Sequence, residues 1–345
     1  MADAPLLAVH DLKTYFLMDE GVVKAVDGVS FDVHSGQVFG IVGESGCGKS
    51  VTMKAVLRIV EPPGKIVHGE ILLNRKTENG DGQVLDLVKL DANGAQMRSI
   101  RGAEIALIPQ EPMSSFSPVH TIGDQIVEAI MLHQPVGKRE ARKIALQMLK
   151  DVGIPMPEQR LDEYSWQLSG GLRQRAIIAM ALSCNPRLLI ADEPTTAVDV
   201  TTQAQVLRLL RELKERRNAA IIFITHDLGV IAQVADYVVV MYLGLVMEQG
   251  TVDDIFHAPK HPYTQALLRS IPSINSTPHE ELPTISGSIP HPFNKPRGCP
   301  FHPRCEQSIE GKCDQRLPAL LPVGAPTSAP QLVSCFLHHD EERSS

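Results

Sequence analysis

The sequence predicts an α/β fold, with a parallel sheet, a helical insert and a small loop-rich tail. Three observations predict it. Short apolar runs alternate with segments of helical periodicity along most of the chain. A glycine-rich loop, "GESGCGKS", lies between an apolar run and a helix-like one. A second apolar run, "RLLIAD", ends in carboxylates.

The first segments, "LLAVHDLKTYF", "VKAVDGVSFDV" and "QVFGIVG", read as strands bounded by polar turns. "HGEILLN" is another, followed by a Gly/Asn/Asp-rich, hairpin-like stretch to about Ala95, and "IALIPQ" is a further buried strand. After Pro112 the period changes. "TIGDQIVEAIMLH" and "KREARKIALQMLKDVG" have helical spacing, with Ala141, Ile144, Ala145, Met148, Leu149 and Val152 on one face. Strand and helix then alternate again. "RLLIAD" is followed by a helix from about Thr201, with Val206, Leu209, Leu210 and Leu213 on one face. "AAIIFIT" is a buried strand, and "YVVVMYLGLVMEQG" a hairpin turning at Gly244. From about residue 255, 14 of the 25 prolines fall in the last 91 residues. That density predicts a loop-rich tail with one short helix, "YTQALLRSI".

The 345 residues carry 33 Lys and Arg against 40 Asp and Glu, a net charge of −7. The basic footprint of a nucleic-acid binder is missing. The most apolar region, from Ala219 to Met247, is broken by His226, Asp227 and Asp236 and falls short of the ~20 apolar residues of a spanning helix. The start lacks a cationic, apolar leader, so a cytosolic chain is expected, reaching a membrane only through a partner. Without a secretion signal, six cysteines argue poorly for disulfides. Four of them, Cys299, Cys305, Cys313 and Cys335, crowd into the tail with gaps of 5, 7 and 21 residues. Four thiolates suit either zinc or a [4Fe–4S] cluster.

"GESGCGKS", Gly43 to Ser50, follows a strand and precedes the helix-like "SVTMKAVLRIV". That is the context of a phosphate-binding loop. Its glycines allow a tight turn, and successive N–H groups at a helix N-terminus stabilise negative charge. Gly43, Glu44, Ser45, Gly46, Cys47, Gly48, Lys49, Ser50 and Val51 are the expected nucleotide contacts. Lys49 would reach the β- and γ-phosphates and Ser50 would bind Mg²⁺. At the end of "RLLIADEP", Asp192 is placed to hold Mg²⁺, and Glu193 to orient or deprotonate the attacking water. In "LSGGLRQR", Ser169 can cap a helix whose N-terminus Gly170 and Gly171 leave open to an anion.

Together these motifs resemble the ATPase domain of ABC transporters, over about residues 5–255. Gln110 in "IPQEP" resembles that family's Q-loop, Asp199 in "TTAVD" its D-loop and His226 in "FITHD" its switch histidine. The resemblance implies a RecA-like P-loop core with an antiparallel β edge and a helical subdomain at about 111–168. It also implies ATP held between two such domains, with the phosphate loop of one facing Ser169, Gly170, Gly171 and Gln174 of the other. Gln110 would sense Mg²⁺ and the attacking water, His226 would contact the γ-phosphate, and Asp199 would organise the dimer. Phe16, or its neighbour Tyr15, would stack on adenine.

"HPYTQALLRSIPSI" followed by "GCPFHPRC" resembles the C-terminal region, here 256–345, of ATPases from dipeptide and oligopeptide importers. Nickel, antimicrobial-peptide, oligosaccharide and opine importers share that region. For the four cysteines, this resemblance favours [4Fe–4S] over zinc. The implied partners are a second ATPase subunit, as a paralogous or identical copy, two membrane permease subunits and an extracytoplasmic solute-binding protein, with no nucleic acid. The implied location is peripheral, on the cytoplasmic face of a bacterial inner membrane. The rival expectation is a non-transport ABC protein acting on ribosomes or DNA. Such proteins carry two ATPase domains or long insertions, which this sequence lacks.

Overall fold

The computed structural model describes residues 4–76, 82–111, 115–195, 200–271, 285–324 and 330–343. In chain order the strands are β1 (Leu7–Met18), β2 (Gly21–Val33), β3 (Val38–Val42), β4 (Gly64–Lys76), β5 (Gly82–Asp86), β6 (Ile105–Ile108), β7 (Leu188–Asp192), β8 (Ala220–Ile224), β9 (Tyr237–Tyr242), β10 (Leu245–Thr251), β11 (Leu321–Val323) and β12 (Gln331–Val333). The chain divides into two compact units. Residues 33–38 and 89–224 belong to one, and residues 4–32, 39–88 and 225–345 to the other.

In the first unit, β6, β7 and β8 pair in parallel, with Ile105 opposite Leu188 and Leu188 opposite Ala220. Every residue of β7 and β8 is buried, as in strands covered on both faces. The helices Ile122–His133, Lys138–Asp151 and Gly170–Leu182 pack on one another, and the last lies against β6. In Lys138–Asp151 the stripe the periodicity predicts is mostly inside: Ala141, Ala145, Met148, Leu149 and the following Val152 are buried, and Ile144 is half-buried. Each large member contributes about 2 kcal/mol by leaving water. Thr121 starts the first of these helices by accepting the Asp124 amide at 3.1 Å. In the helix Val200–Arg217, Val206 and Leu210 are buried as expected, Leu209 is half-buried, and Leu207, not foreseen, is buried too. The side chain of Leu213 lies outside the described residues.

The second unit holds two sheets. One is antiparallel, in the order β2–β1–β4–β5. Its β1–β4 register slips between His10 and Lys13, where Asp11 takes a left-handed φ of 43° and the strands bulge. The other runs β11–β12–β10–β9–β3. There β3 pairs in parallel with β9, Ile41 opposite Val239, and the remaining pairs are antiparallel. Gly244, at φ 79°, turns the β9–β10 hairpin where the sequence predicts it.

The tail departs from the expectation of one helix among loops. Besides the helix Pro262–Arg269 it supplies β11 and β12, and β12 joins β10 with Val333 opposite Glu248. Three residues are too few for a period of two to show in the sequence. Glu248 is also what ties the tail down. Its fully buried carboxylate accepts the Lys260 amide at 2.7 Å, the His261 amide at 2.9 Å and Gln331 Nε2 at 2.8 Å. Burial raises its pKa above the ordinary carboxylate value despite those donors. No described helix is long and apolar enough to cross a membrane.

Candidate functional site

The phosphate loop Gly43–Ser50 joins β3 to the helix Lys49–Val56 in the second unit. Gly43 and Gly48 take φ of 147° and 100°. A Cβ on Gly43 would fall 2.2 Å from the Met241 carbonyl oxygen, and one on Gly48 would fall 2.2 Å from that of Ala25. Glycine is therefore required twice over, by conformation and by space. Lys49 is buried, and its ammonium donates to the carbonyls of Gly43 at 2.8 Å and Glu44 at 3.1 Å. Cys47 is buried beside it, its thiol pushed up by desolvation and partly drawn back by Lys49. Ser45 and Gly46 are exposed at the rim, while Ser50 and Val51 are half-buried on the first helical turn. This is a loop of N–H donors with one cation, suited to a polyphosphate.

Of the two aromatic candidates on β1, Tyr15 is committed elsewhere. Its hydroxyl donates to Asp27 at 2.6 Å and Lys24 lies over its ring. Phe16 is half-buried near Gly64 and carries no polar tie. His226 is exposed, just before Asp227, which caps the helix Leu228–Val234 by accepting the Val230 amide at 3.2 Å.

In the first unit, Asp192 ends β7 buried and Glu193 follows half-exposed. Glu193 holds φ at 47°, a conformation L-residues rarely adopt, while its amide donates to Ile224 O at 2.9 Å. Such strain is retained where the surroundings fix it, often at working residues. Gln110 Nε2 donates to Glu193 Oε2 at 3.0 Å, so two predicted members meet. Ser169 caps the helix Gly170–Leu182, accepting the Leu172 amide at 3.4 Å. No acidic residue occupies the first turn, which leaves that N-terminus open to an anion. Gln174 does something unforeseen. It is buried, and its Nε2 donates to Pro194 O at 2.7 Å, which links the signature helix to the acidic strand end. Asp199 lies outside the described residues.

The four tail cysteines come together in the second unit. They line one small cavity of about 10 Å³, together with His261, His302 and Phe336. All four are free, and Cys305 is the least buried. Desolvation, then the neighbouring thiols, push Cys299 up to about 12 and Cys335 up to about 11, so both are thiols at neutral pH. Among the described residues no group of three or more His, Cys, Asp or Glu is placed to hold a metal ion. The structure therefore supports convergence of the cysteines, and stops short of the expected [4Fe–4S] or zinc cage.

Three ties escaped the sequence reading. Glu248 is one; its signal was a carboxylate directly after the apolar run Leu245–Met247. The second is Asp27, which accepts from Tyr15 and, at 3.0 Å, from Lys295 of the tail. The third is Arg304, whose guanidinium reaches Glu44 of the phosphate loop. The last two pairs are 268 and 260 residues apart, and no local pattern announces them.

A profile of the ABC transporter family matches residues 26–196, and one for the oligopeptide/dipeptide transporter C-terminal region matches residues 247–313. The oligopeptide transport ATP-binding protein AppD of Bacillus subtilis is 47% identical over 337 residues, 97% of this chain and 98% of its own. The dipeptide transport ATP-binding protein DppD of Escherichia coli is 45% identical over 315 residues, 91% of this chain and 92% of its own. A dimeric bacterial ABC transporter cassette superposes with a TM-score of 0.62 at 25% identity, over 71% of this chain and 98% of its own. Identity near one half across nine-tenths of the chain decides the matter: this is an ATPase of the ABC transporter family, in the group that bears the oligopeptide/dipeptide transporter C-terminal region.

Proposed function

We propose that this chain energises solute import, with di- and oligopeptides as the solute, by ATP-driven closing and reopening of an ATPase dimer on two permease subunits fed by a solute-binding protein. The observation that carries the reading is the near full-length likeness to peptide-transport ATP-binding proteins. The ATPase region is assigned to residues 1–255 and the tail to 256–345. Gly43–Val51 cradle the phosphates, Lys49 neutralises them, and Phe16 stacks on adenine. Ser50, Gln110 and Asp192 would hold Mg²⁺, which neutralises phosphate charge when bound. Glu193, held by Gln110, orients and deprotonates water, and His226 supports it at the γ-phosphate. Ser169, Gly170 and Gly171 face the ATP of the second subunit, Gln174 ties their helix to the acidic strand end from inside, and Asp199 lies at the dimer contact. Docking on a membrane partner is supported by apolar side chains exposed on the helical insert, among them Val119, Met131, Leu132, Met156 and Trp166. The location is peripheral, on the cytoplasmic face of the inner membrane.

The purified Glu193→Gln protein should bind ATP as the parent does and hydrolyse it at least about a hundredfold more slowly, the usual worth of a general base. Hydrolysis at the parental rate overturns the assignment. Deletion should abolish uptake of labelled di- or tripeptides; loss of nickel or oligosaccharide uptake instead would reassign the solute.

For the tail we propose that the four thiols, once deprotonated, take a [4Fe–4S] cluster that fastens the fold, with Zn²⁺ as the alternative. The shared cavity supports this. Iron, sulfide and absorbance on anaerobically purified protein test it, and a colourless, iron-free sample refutes the cluster.

A further inference from the structure

Arg304 sits at the end of the short turn His302–Arg304, between Cys299 and Cys305. Its guanidinium meets the Glu44 carboxylate fork to fork: Nη1 donates to Oε2 at 2.7 Å and Nη2 to Oε1 at 3.0 Å. Nη1 also donates to the Tyr242 hydroxyl at 3.2 Å, and Nε donates to Ser286 O at 3.0 Å. The Arg304 side chain is only 5% exposed. The Glu44 amide donates to the Tyr263 hydroxyl at 3.0 Å. Tail residues thus hold Glu44 at both its backbone and its side chain, and Tyr242 of the hairpin braces Arg304.

Glu44 is the second residue of the loop read as the phosphate cradle, and its charge is the wrong sign for that work. A loose carboxylate there would repel a polyphosphate and compete for Lys49, two residues beyond Cys47. Paired with Arg304, the same carboxylate is neutralised and immobilised. A guanidinium suits this better than an ammonium, because its planar fork matches both carboxylate oxygens at once. The guanidinium lies over the Tyr242 ring, 5.9 Å from its centroid, and that ring packs on Tyr263 and Phe301, which limits water's access to the pair.

We propose that Arg304 is a positioning residue for ATP: by pairing with Glu44 it fixes the phosphate loop in its nucleotide-receiving shape and cancels the loop's own negative charge. The proposal rests on the reading of Gly43–Ser50 as the ATP cradle. It also gives the cysteine-bearing tail a direct hold on the nucleotide site.

The test is equilibrium binding of a fluorescent N-methylanthraniloyl ATP to the full chain with Mg²⁺, together with KM and kcat for ATP. Arg304→Gln should weaken binding and raise KM on the order of tenfold, the worth of a charge-assisted hydrogen-bonded pair, and leave kcat at saturating ATP nearly unchanged. Arg304→Lys, which keeps the cation, should fall between the two. In a Glu44→Gln background the effect of Arg304→Gln should shrink to under about twofold, because the partner charge is already gone. Parental affinity in folded Arg304→Gln and Arg304→Lys proteins overturns the proposal. So does an affinity loss of equal size with and without the Glu44 carboxylate, which would mark a merely structural arginine. Lys49→Ala separates the two readings. If it too binds nucleotide normally, the cradle assignment itself is wrong; if it abolishes binding while Arg304→Gln does not, only the role of Arg304 fails.

Discussion

Replacing Glu248 should loosen the tail, and the structure sets the size of the effect. Three donors converge on a carboxylate with no exposure: the amides of Lys260 and His261 and the side-chain amide of Gln331. Glu248→Ala takes the acceptor from the two backbone amides, while Gln331 keeps the Ala258 carbonyl at 3.1 Å. At the low end of about 1 kcal/mol for each orphaned amide, the tail loses about 2 kcal/mol of local stability. Hydrogen exchange followed by mass spectrometry reads this directly, because the Lys260 and His261 amides are themselves the reporters. A loss of about 2 kcal/mol corresponds to roughly thirtyfold in the rate of exchange through opening. The same site carries a pH signature. Desolvation holds the folded carboxyl above its ordinary value, so the folded state binds the proton more tightly than the unfolded one. Stability of the tail therefore falls as pH rises from the ordinary glutamate value, about 4.3, through the raised one. Glu248→Gln, which cannot titrate, should abolish that slope. An Ala variant that exchanges within threefold of the parent, or a Gln variant that keeps the slope, would show that Glu248 does not hold the tail.

Three further outcomes follow from the geometry around the site. Gly48→Ala places a Cβ 2.2 Å from the Ala25 carbonyl oxygen at a φ of 100°, so ATP binding should fall by more than about a hundredfold, as expected of a clash joined to backbone strain. Gly46→Ala, at φ 78° with open space around it, should cost only about 1–2 kcal/mol; equal losses at the two positions would refute the steric argument. Gln174→Ala should orphan the Pro194 carbonyl and cost about 1–3 kcal/mol. Urea denaturation followed by the fluorescence of Trp166, the chain's one tryptophan, measures it, and a change under about 0.5 kcal/mol would mean that solvent replaces the bond.

Most of the architecture was legible because its signals are local. The stripe from Ala141 to Val152 and the hairpin at Gly244 each declare themselves within a dozen residues. So do the loop Gly43–Ser50 and the strand ending in Asp192 and Glu193, since phosphate chemistry needs a contiguous run of donors and a charge at a strand terminus. What stayed hidden depends on partners far away in sequence. Glu44 read as one of the nucleotide contacts of a motif, and only the fold brings Arg304 to it. Gln174 read as part of an anion-facing helix start, yet its side chain turns inward to Pro194 O. Clustering in the tail and family resemblance suggested a joint ligand site for Cys299, Cys305, Cys313 and Cys335, and the four do line one cavity. Spacing carries no information on how far each thiol is desolvated, and that desolvation is what keeps Cys299 and Cys335 protonated.

The pairing of β12 with β10 has a practical consequence for anyone shortening this chain. β10 is buried at six of its seven positions, and β12 covers the backbone groups on one of its sides. Outside β12 lies β11, only three residues long, with Pro322 at its centre offering no N–H to a newcomer. Short length and a central proline are how natural sheets discourage edge-to-edge association. Deleting the chain from about residue 320 onward removes both guards and bares an apolar edge able to recruit a second molecule. The same cut removes Cys335 and Gln331, so insolubility or loss of transport in such a truncation would report on a bared sheet edge and a loosened tail together, and would say nothing about nucleotide or solute.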